Sequence, residues 1–414
     1  MIPAVRRFRA SAVNAVGAVP LAAARRSDAR GTYAEHMSWD DLTGQAEAVA
    51  TLRAAAAGDG LTHSWLLTGP PGSGRSVLAY AFASALIARP GDEEATDAQV
   101  EARTHPDLGV LSTEGVTILR KDVKDFVTQS YFSPSVGRYR VMVIEDADRM
   151  AELSSNVLLK ALEEPPPRTI WILCAPSDAD LLPTVRSRVR TVRLRVPDVD
   201  EVAELISRRD GISLPDATRA AREAQSHIGM AHRLATNAEA RTRRARTLEL
   251  ALGIRSVSGA VLAAAELLEV AGADAKAITE ERDAEERESA LRSLGIEPGG
   301  TVPPGLRAQL KSLEEDQKRR ATRSLRDGLD RILVDLLSLY RDILLLQLGV
   351  GSDPVNLAIY SELEVAARAS TPAGTLATLD AITEARTRIE GNVAPALALE
   401  AMLITAVRDT AVQR

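Results

Sequence analysis

Hydrophobic and polar positions follow two regimes along this chain. Between Ser38 and Pro197 short apolar runs recur, each followed by a stretch with helical spacing; beyond Pro197 only helical spacing remains. Residues 63–68 are a predicted strand, followed by a glycine-rich turn and a helix over 77–87. Residues 141–144 form a short Val, Met and Ile run ending in acids, the pattern of a parallel strand buried on both faces. Residues 154–164 read as a helix stopped by Pro165, Pro166 and Pro167, because proline lacks the N–H that the helix ladder needs. Thr169–Ala175 is another apolar strand. Strands alternating with helices predict an α/β domain, a parallel sheet flanked by helices, that closes near Val196-Pro197.

The remainder reads as helix. Segments 202–209, 215–226 and 231–246 predict a small all-α domain. From Thr247 onward, Leu325, Leu329, Ile332, Leu336, Leu339 and Ile343 repeat at spacings of three and four, one apolar helix face. Inside this region 276–326 is charged, with turn signals at Pro298-Gly299-Gly300 and Pro303-Pro304-Gly305, and predicts a solvated helical hairpin. The expected organisation is an extension over 1–36, an α/β domain over 37–197, a helical domain over 198–246 and a second helical domain over 247–414. No internal repeat is apparent.

Composition narrows the class. The 414 residues are 45% apolar and 26% charged, an ordinary globular mixture that excludes fibrous and wholly disordered chains. Aromatics at 3% leave Ala, Leu, Val and Ile to build the core. A net charge of −6 argues against a surface that is all nucleic-acid footprint. The single cysteine, Cys174, excludes a disulfide framework and a multi-cysteine zinc site. The most apolar window, 332–350, contains Asp335, Arg341 and Asp342, so no membrane span is expected. Residues 1–27 lack acids but hold Arg6, Arg7, Arg9, Arg25 and Arg26. A targeting segment, a disordered extension and an early-called start with Met37 as the natural beginning are the readings of that end.

The candidate chemistry lies at strand ends. Gly69-Pro70-Pro71-Gly72-Ser73-Gly74-Arg75-Ser76 follows a strand and opens a helix, the context in which backbone N–H groups cradle a phosphate. Arg75 stands where the phosphate-binding lysine is usual, and its planar fork is not interchangeable with an ammonium. Ser76 remains a potential Mg²⁺ ligand. The strand 141–144 delivers Glu145-Asp146, whereas a hydrolytic centre uses Asp then Glu. Each carboxylate is displaced by one methylene, and displacements of about an ångström can cost roughly 10²-fold in rate. Arg75, Glu145 and Asp146 together predict a chain that hydrolyses ATP poorly, with nucleotide occupancy left open. Ser187-Arg188 lies near the end of the sheet, and two readings compete for it. An arginine there can stabilise charge on a neighbour's phosphoryl group. Arg186, Arg188, Arg190, Arg193 and Arg195 also interleave with apolar residues as the exposed face of a strand would.

Further motifs carry a family resemblance. Trp39-Asp40-Asp41-Leu42-Thr43-Gly44-Gln45 resembles the opening box of AAA+ clamp-loader subunits, a segment placed near the adenine. Thr104-His105-Pro106-Asp107-Leu108, Val123-Lys124-Asp125 and Gly137-Arg138-Tyr139-Arg140-Val141 look like the delta-prime family of bacterial DNA polymerase III. Asn156 through Pro166, with Leu158-Leu159-Lys160-Ala161-Leu162-Glu163-Glu164, is similar to that family's most specific run. The stretch from Leu182-Pro183 to Ser187-Arg188 resembles its Ser-Arg-Cys motif, with Val189 in place of the cysteine. The resemblance covers roughly 37–235; farther on it rests on helical content and Tyr340-Arg341-Asp342-Ile343-Leu344.

The resemblance implies a degenerate AAA+ P-loop domain, an all-α lid and an all-α carboxy-terminal collar. It implies a stator in a ring with gamma/tau motor subunits and a delta subunit, a cytoplasmic assembly that places a sliding clamp on primer-template DNA. Arg188 would act in trans on a neighbouring motor's ATP, so the catalytic role is lent and the polymerase chemistry belongs elsewhere. The nucleotide-site positions are Gly69, Gly72, Gly74, Arg75, Ser76, Glu145 and Asp146, with ATP and Mg²⁺ possible but not required. Many relatives bind zinc through four cysteines, which a chain with only Cys174 cannot do, and His105 is then expected to be a packing histidine. His232 or Arg233 falls where motors sense the γ-phosphate. Arg241, Arg243, Arg244 and Arg246 read as a solvated face ahead of a DNA contact. The alternatives are a gamma/tau-like ATPase motor and another AAA+ DNA machine.

Overall fold

A computed structural model describes residue 39 and residues 42–113, 116–293 and 307–411. The expected 1–36 extension and the turn signals from Pro298 to Gly305 lie outside the described residues. The chain begins with helix α1 (Ala46–Ala56), strand β1 (Ser64–Thr68) and helices α2 (Arg75–Ile87) and α3 (Glu93–Glu101). β2 (Leu108–Leu111), α4 (Arg120–Ser130), β3 (Arg140–Ile144), α5 (Glu152–Glu163) and β4 (Thr169–Ala175) follow. The short helix α6 (Pro183–Arg186) and β5 (Arg190–Arg193) close the α/β part.

All pairings in the five-stranded sheet are parallel, and the spatial order is β2-β3-β4-β1-β5. Successive side chains on a strand point to opposite faces, and both faces here are covered. Val141, Val143, Ile170, Ile172, Trp65 and Leu67 pack with α1 and α2, where the Phe82 ring meets Trp65 edge-on at 5.3 Å. Met142, Ile144, Trp171, Leu173 and Leu66 face α4 and α5, where Phe126 meets Trp171 edge-on at 5.8 Å. The near-continuous apolar runs in β1, β3 and β4 are what burial on two faces requires.

Two local expectations are corrected. Residues 186–196 are not one long strand: only Arg190–Arg193 pairs, because Pro183 starts a helical turn whose last residue is Arg186. Arg188 therefore sits in the turn before β5. Arg190 is not a bare exposed arginine; its guanidinium lies 4.9 Å from the centre of the Trp65 ring and donates to the Gly60 carbonyl at 2.7 Å. The predicted helix over 231–246 is two helices, since Asn237 interrupts it and accepts from the Ala240 N–H as an N-cap.

Beyond β5 the described residues are helical. α7 (Val199–Asp210), α8 (Leu214–Glu223) and α9 (Ile228–Thr236) enclose a core rich in alanine, from Val202 to Ala231 and Leu234. α10 (Ala238–Gly253) runs on into a second core shared by α11 (Val257–Ser293), α12 (Arg307–Gln347), α13 (Tyr360–Ala369), α14 (Pro372–Glu390) and α15 (Pro395–Ala411). The predicted stripe of Leu329, Ile332, Leu336, Leu339 and Ile343 is buried there. α11 and α12 form an antiparallel pair that approaches closely at Gly328, where a Cβ would lie 3.2 Å from the Ala271 carbonyl oxygen. Among the described residues no helix is long and apolar enough to cross a membrane.

Candidate functional site

The glycine-rich loop leaves the end of β1, and the acid pair leaves the end of β3, with β4 between them. Gly72 and Gly74 take left-handed φ values of 80° and 91°, which side chains with a Cβ rarely adopt. That turn aims the N-terminus of α2, beginning at Arg75, into the cleft. Gln45 ties the loop to the exit from β5: its amide donates to the Ser73 carbonyl at 3.4 Å and to the Arg195 carbonyl at 2.9 Å, and accepts from the Arg195 N–H at 3.1 Å. The opening box, the loop and the exit from β5 thus become one support.

Each acid already has a cation from this chain. Glu145 is buried, accepts from the Tyr80 hydroxyl at 2.6 Å and pairs with Arg103 at 3.0 Å. The Arg103 guanidinium also lies 4.9 Å from the centre of the Tyr80 ring. Asp146 pairs with Arg323 of α12 at 2.9 Å, and the same guanidinium hydrogen-bonds the Thr113 carbonyl. Next to it, burial and the Asp146 charge push the Asp148 carboxyl above its ordinary range. Cys174 lies buried on β4, its thiol pushed up to about 12 by burial.

The loop half is covered from the other side. A Cβ on Gly72 would collide with the His227 ring, so that imidazole occupies the space beside this glycine. The adjoining Ile228 N–H points to the Gly72 carbonyl at 3.4 Å. His227 Nδ1 accepts from the Met230 N–H at 3.1 Å, and burial keeps the ring's pKa below its ordinary value, with Arg331 and Arg75 acting in the same direction. A neutral ring at the start of α9 is the result. The Ser73 hydroxyl and Arg75 Nη1 are buried without a hydrogen-bond partner, which is the polarity an anion would satisfy. Ser76, half-buried, follows in the first turn of α2. The loop therefore retains donors, while His227 packs on it at Gly72 and both acids are paired with arginines. In this arrangement the residues do not fit a Mg²⁺–nucleotide. Among the described residues no three His, Cys, Asp or Glu side chains gather as metal ligands would.

The other singled-out residues are placed as follows. Arg188 donates through Nε to Glu163 at 2.7 Å and through Nη1 to the Thr184 carbonyl at 2.7 Å and the Ser187 hydroxyl at 3.1 Å. His105 is buried, and its Nδ1 accepts from the Asp107 N–H at 3.1 Å, a packing role. His232 pairs with Asp210 at 2.7 Å, and Arg233 donates to Asp274 at 3.1 Å, so neither is turned into the cleft. Arg241, Arg243 and Arg244 of α10 correct the expected solvated face, while Arg246 is exposed as expected. Arg243 binds Asp274 at 2.9 Å, Arg244 binds Asp335 at 3.0 Å and Asn356 at 2.6 Å, and Arg246 binds Glu249 at 2.8 Å and Glu266 at 2.6 Å. Arg241 donates to the Leu234 carbonyl at 2.8 Å at the end of α9. They stitch helices together.

Sequence reasoning did not find Tyr80, Arg103, His227 or Arg323. Only Arg323 left a signal: Arg320, Arg323, Asp327 and Arg331 recur at spacings of three and four, a charged stripe on one helix face.

Comparison with known proteins places this site in a context. Residues 44–198 match the family described as DNA polymerase III, delta subunit. The chain is 27% identical over 194 residues to the DNA polymerase III subunit gamma/tau of Mycobacterium tuberculosis, covering 44% of this chain and 33% of that protein. It is 33% identical over 163 residues to the DNA polymerase III subunit delta' of Pseudomonas aeruginosa, covering 37% of this chain and 48% of that protein. The chain thus spans between a third and a half of the length of these curated relatives. A crystal structure of a DNA polymerase III gamma subunit-related protein from Thermotoga maritima is 16% identical, with a TM-score of 0.41, covering 87% of this chain and 99% of that one.

Proposed function

The chain belongs, through residues 44–198, to the clamp-loader AAA+ family, and from that premise we propose that it is a delta-prime-like stator that does not itself turn over ATP. The observation that carries the reading is the state of the acid pair, with Arg103 on Glu145 and Arg323 on Asp146. A hydrolytic centre needs one carboxylate free for the metal and one for water. His227 over Gly72 and the arginine at position 75 point the same way. The reading includes the division into an AAA+ domain over 37–197, a lid over 198–246 and a collar over 247–414. It also includes gamma/tau and delta subunits as partners, and a sliding clamp on primer-template DNA as the object of the assembly. Arg188 is the residue it offers to a neighbouring motor.

Purified alone, the chain should show negligible ATPase, and Arg75→Lys should not restore it, since both acids remain displaced and paired. Turnover near 1 s⁻¹, an ordinary enzyme rate, sinks the proposal. It favours instead a gamma/tau-like motor, the reading that the similarity to the mycobacterial gamma/tau protein supports. Co-purification with gamma/tau and delta subunits of the same organism tests the stator role, and failure to enter that complex ends it.

A further inference from the structure

The charged helices α11 and α12 do more than project into solvent. Their outer turns are clipped together by Arg320, which binds Asp283 at 2.6 Å and Glu286 at 3.0 Å, and by Arg287 with Glu314 at 3.2 Å. One turn farther along α12 the stripe leaves its partner helix and meets the α/β domain. Arg323 reaches Asp146 and the Thr113 carbonyl, and Asp327 reaches Arg149 at 3.6 Å. Another turn on, Arg331 returns to α11 at Asp274, 2.8 Å away. Thr113 follows β2 and Asp146 follows β3, so one guanidinium joins two loops at the carboxyl end of the sheet. With His227 packed on the glycine-rich loop at Gly72, both halves of the cleft are contacted by parts of the same chain that lie outside the α/β domain.

We propose that α11 and α12 are a strap that shuts this cleft against nucleotide, with Arg323 giving Asp146 the positive charge that a divalent cation would otherwise supply. A guanidinium is always charged and donates in a fixed fork, which suits it to span a carboxylate and a carbonyl at once. It also cannot diffuse away as a metal can. The inference rests on contacts within this chain and stands whether or not the chain enters a clamp loader.

Amide hydrogen exchange of the full chain tests it, read at peptides covering 69–76 and 142–150. Arg323→Ala should raise exchange there at least tenfold. Asp327→Asn, which weakens the half-buried ion pair with Arg149, should raise it by a smaller factor. Arg388→Ala, which removes a more exposed ion pair with Glu384 on α14, should leave these peptides unchanged. A fluorescent ADP analogue with Mg²⁺, followed by anisotropy, should bind Arg323→Ala at least tenfold more tightly than the wild type. Unchanged exchange in both strap variants overturns the proposal. Equal nucleotide response in wild type and Arg323→Ala overturns it as well, whatever the exchange does.

Discussion

Arg188→Ala is expected to lower the clamp- and DNA-stimulated ATPase of a reconstituted assembly while leaving the chain folded and assembled. A finger acts on charge that develops in the transition state, so its loss should reduce turnover at the served site by about 10³-fold or more and leave ATP binding nearly unchanged. The assembly's total rate falls only by that one site's share. The side chain is held ready by Glu163, the Thr184 carbonyl and the Ser187 hydroxyl, all on its own chain. Glu163→Gln keeps an acceptor beside Arg188 and should change the rate far less. The control is Arg186→Ala, two residues earlier on an exposed turn, and not Arg190, which packs on Trp65. If Arg188→Ala and Arg186→Ala behave alike in ATPase and clamp loading, Arg188 is only a surface residue.

Asp107→Ala is expected to be the most destabilising single change away from the cleft. The carboxylate is fully buried and accepts from the Ser135 N–H at 2.6 Å, the Ser135 hydroxyl at 2.9 Å, and the Val136 and Gly137 N–H groups at 2.7 Å each. Arg140 stands 3.4 Å away. Alanine would leave the buried Gly137 N–H unpaired and release the Ser135–Val136 turn from its anchor, and breaking such a network costs about 3–5 kcal/mol. For a domain of this size that is a fall of roughly 10 °C in melting temperature. Trp65 and Trp171 lie in the sheet core, so tryptophan fluorescence reports on this domain directly. A loss below 1 kcal/mol would show that the loop finds other partners. The same contacts set a pH dependence. Burial alone would raise the Asp107 pKa, but the Gly137, Ser135 and Val136 N–H groups together outweigh it and hold it below 3.8. Its stabilisation is therefore complete above about pH 4 and is lost as pH falls through the lowered value. Asp107→Asn should flatten that acid limb.

The sheet was legible where burial is two-sided. β1, β3 and β4 each carry an uninterrupted apolar run after a polar first residue, so they stand out against helices whose apolar positions are periodic. β2 did not, because Leu108-Gly109-Val110-Leu111 is a short edge strand with alternate residues partly exposed. The Arg/Val alternation around β5 extends past the four residues that pair, so pattern alone overran the strand. The glycine-rich loop and the acid pair were legible because each is contiguous in sequence. What closes them was not: Arg323 meets Asp146 across 177 positions, a contact set by how helices dock on the sheet rather than by any local preference.

Asp274 has a consequence for how this molecule meets others. One carboxylate on α11 receives Arg233 from α9, Arg243 from α10 and Arg331 from α12. Burial would raise its pKa, but Arg233 and Arg331 overcome that and keep it ionised. Rotation of α9 against α12 would have to pull at least one guanidinium away from a buried anion. A chain jointed in this way offers a partner a single shape instead of a distribution of hinge angles. Orientational freedom is then given up during folding and not during docking, so encounters need no conformational search. Asp274→Ala would show this as slower association with a partner, at a dissociation rate much less altered.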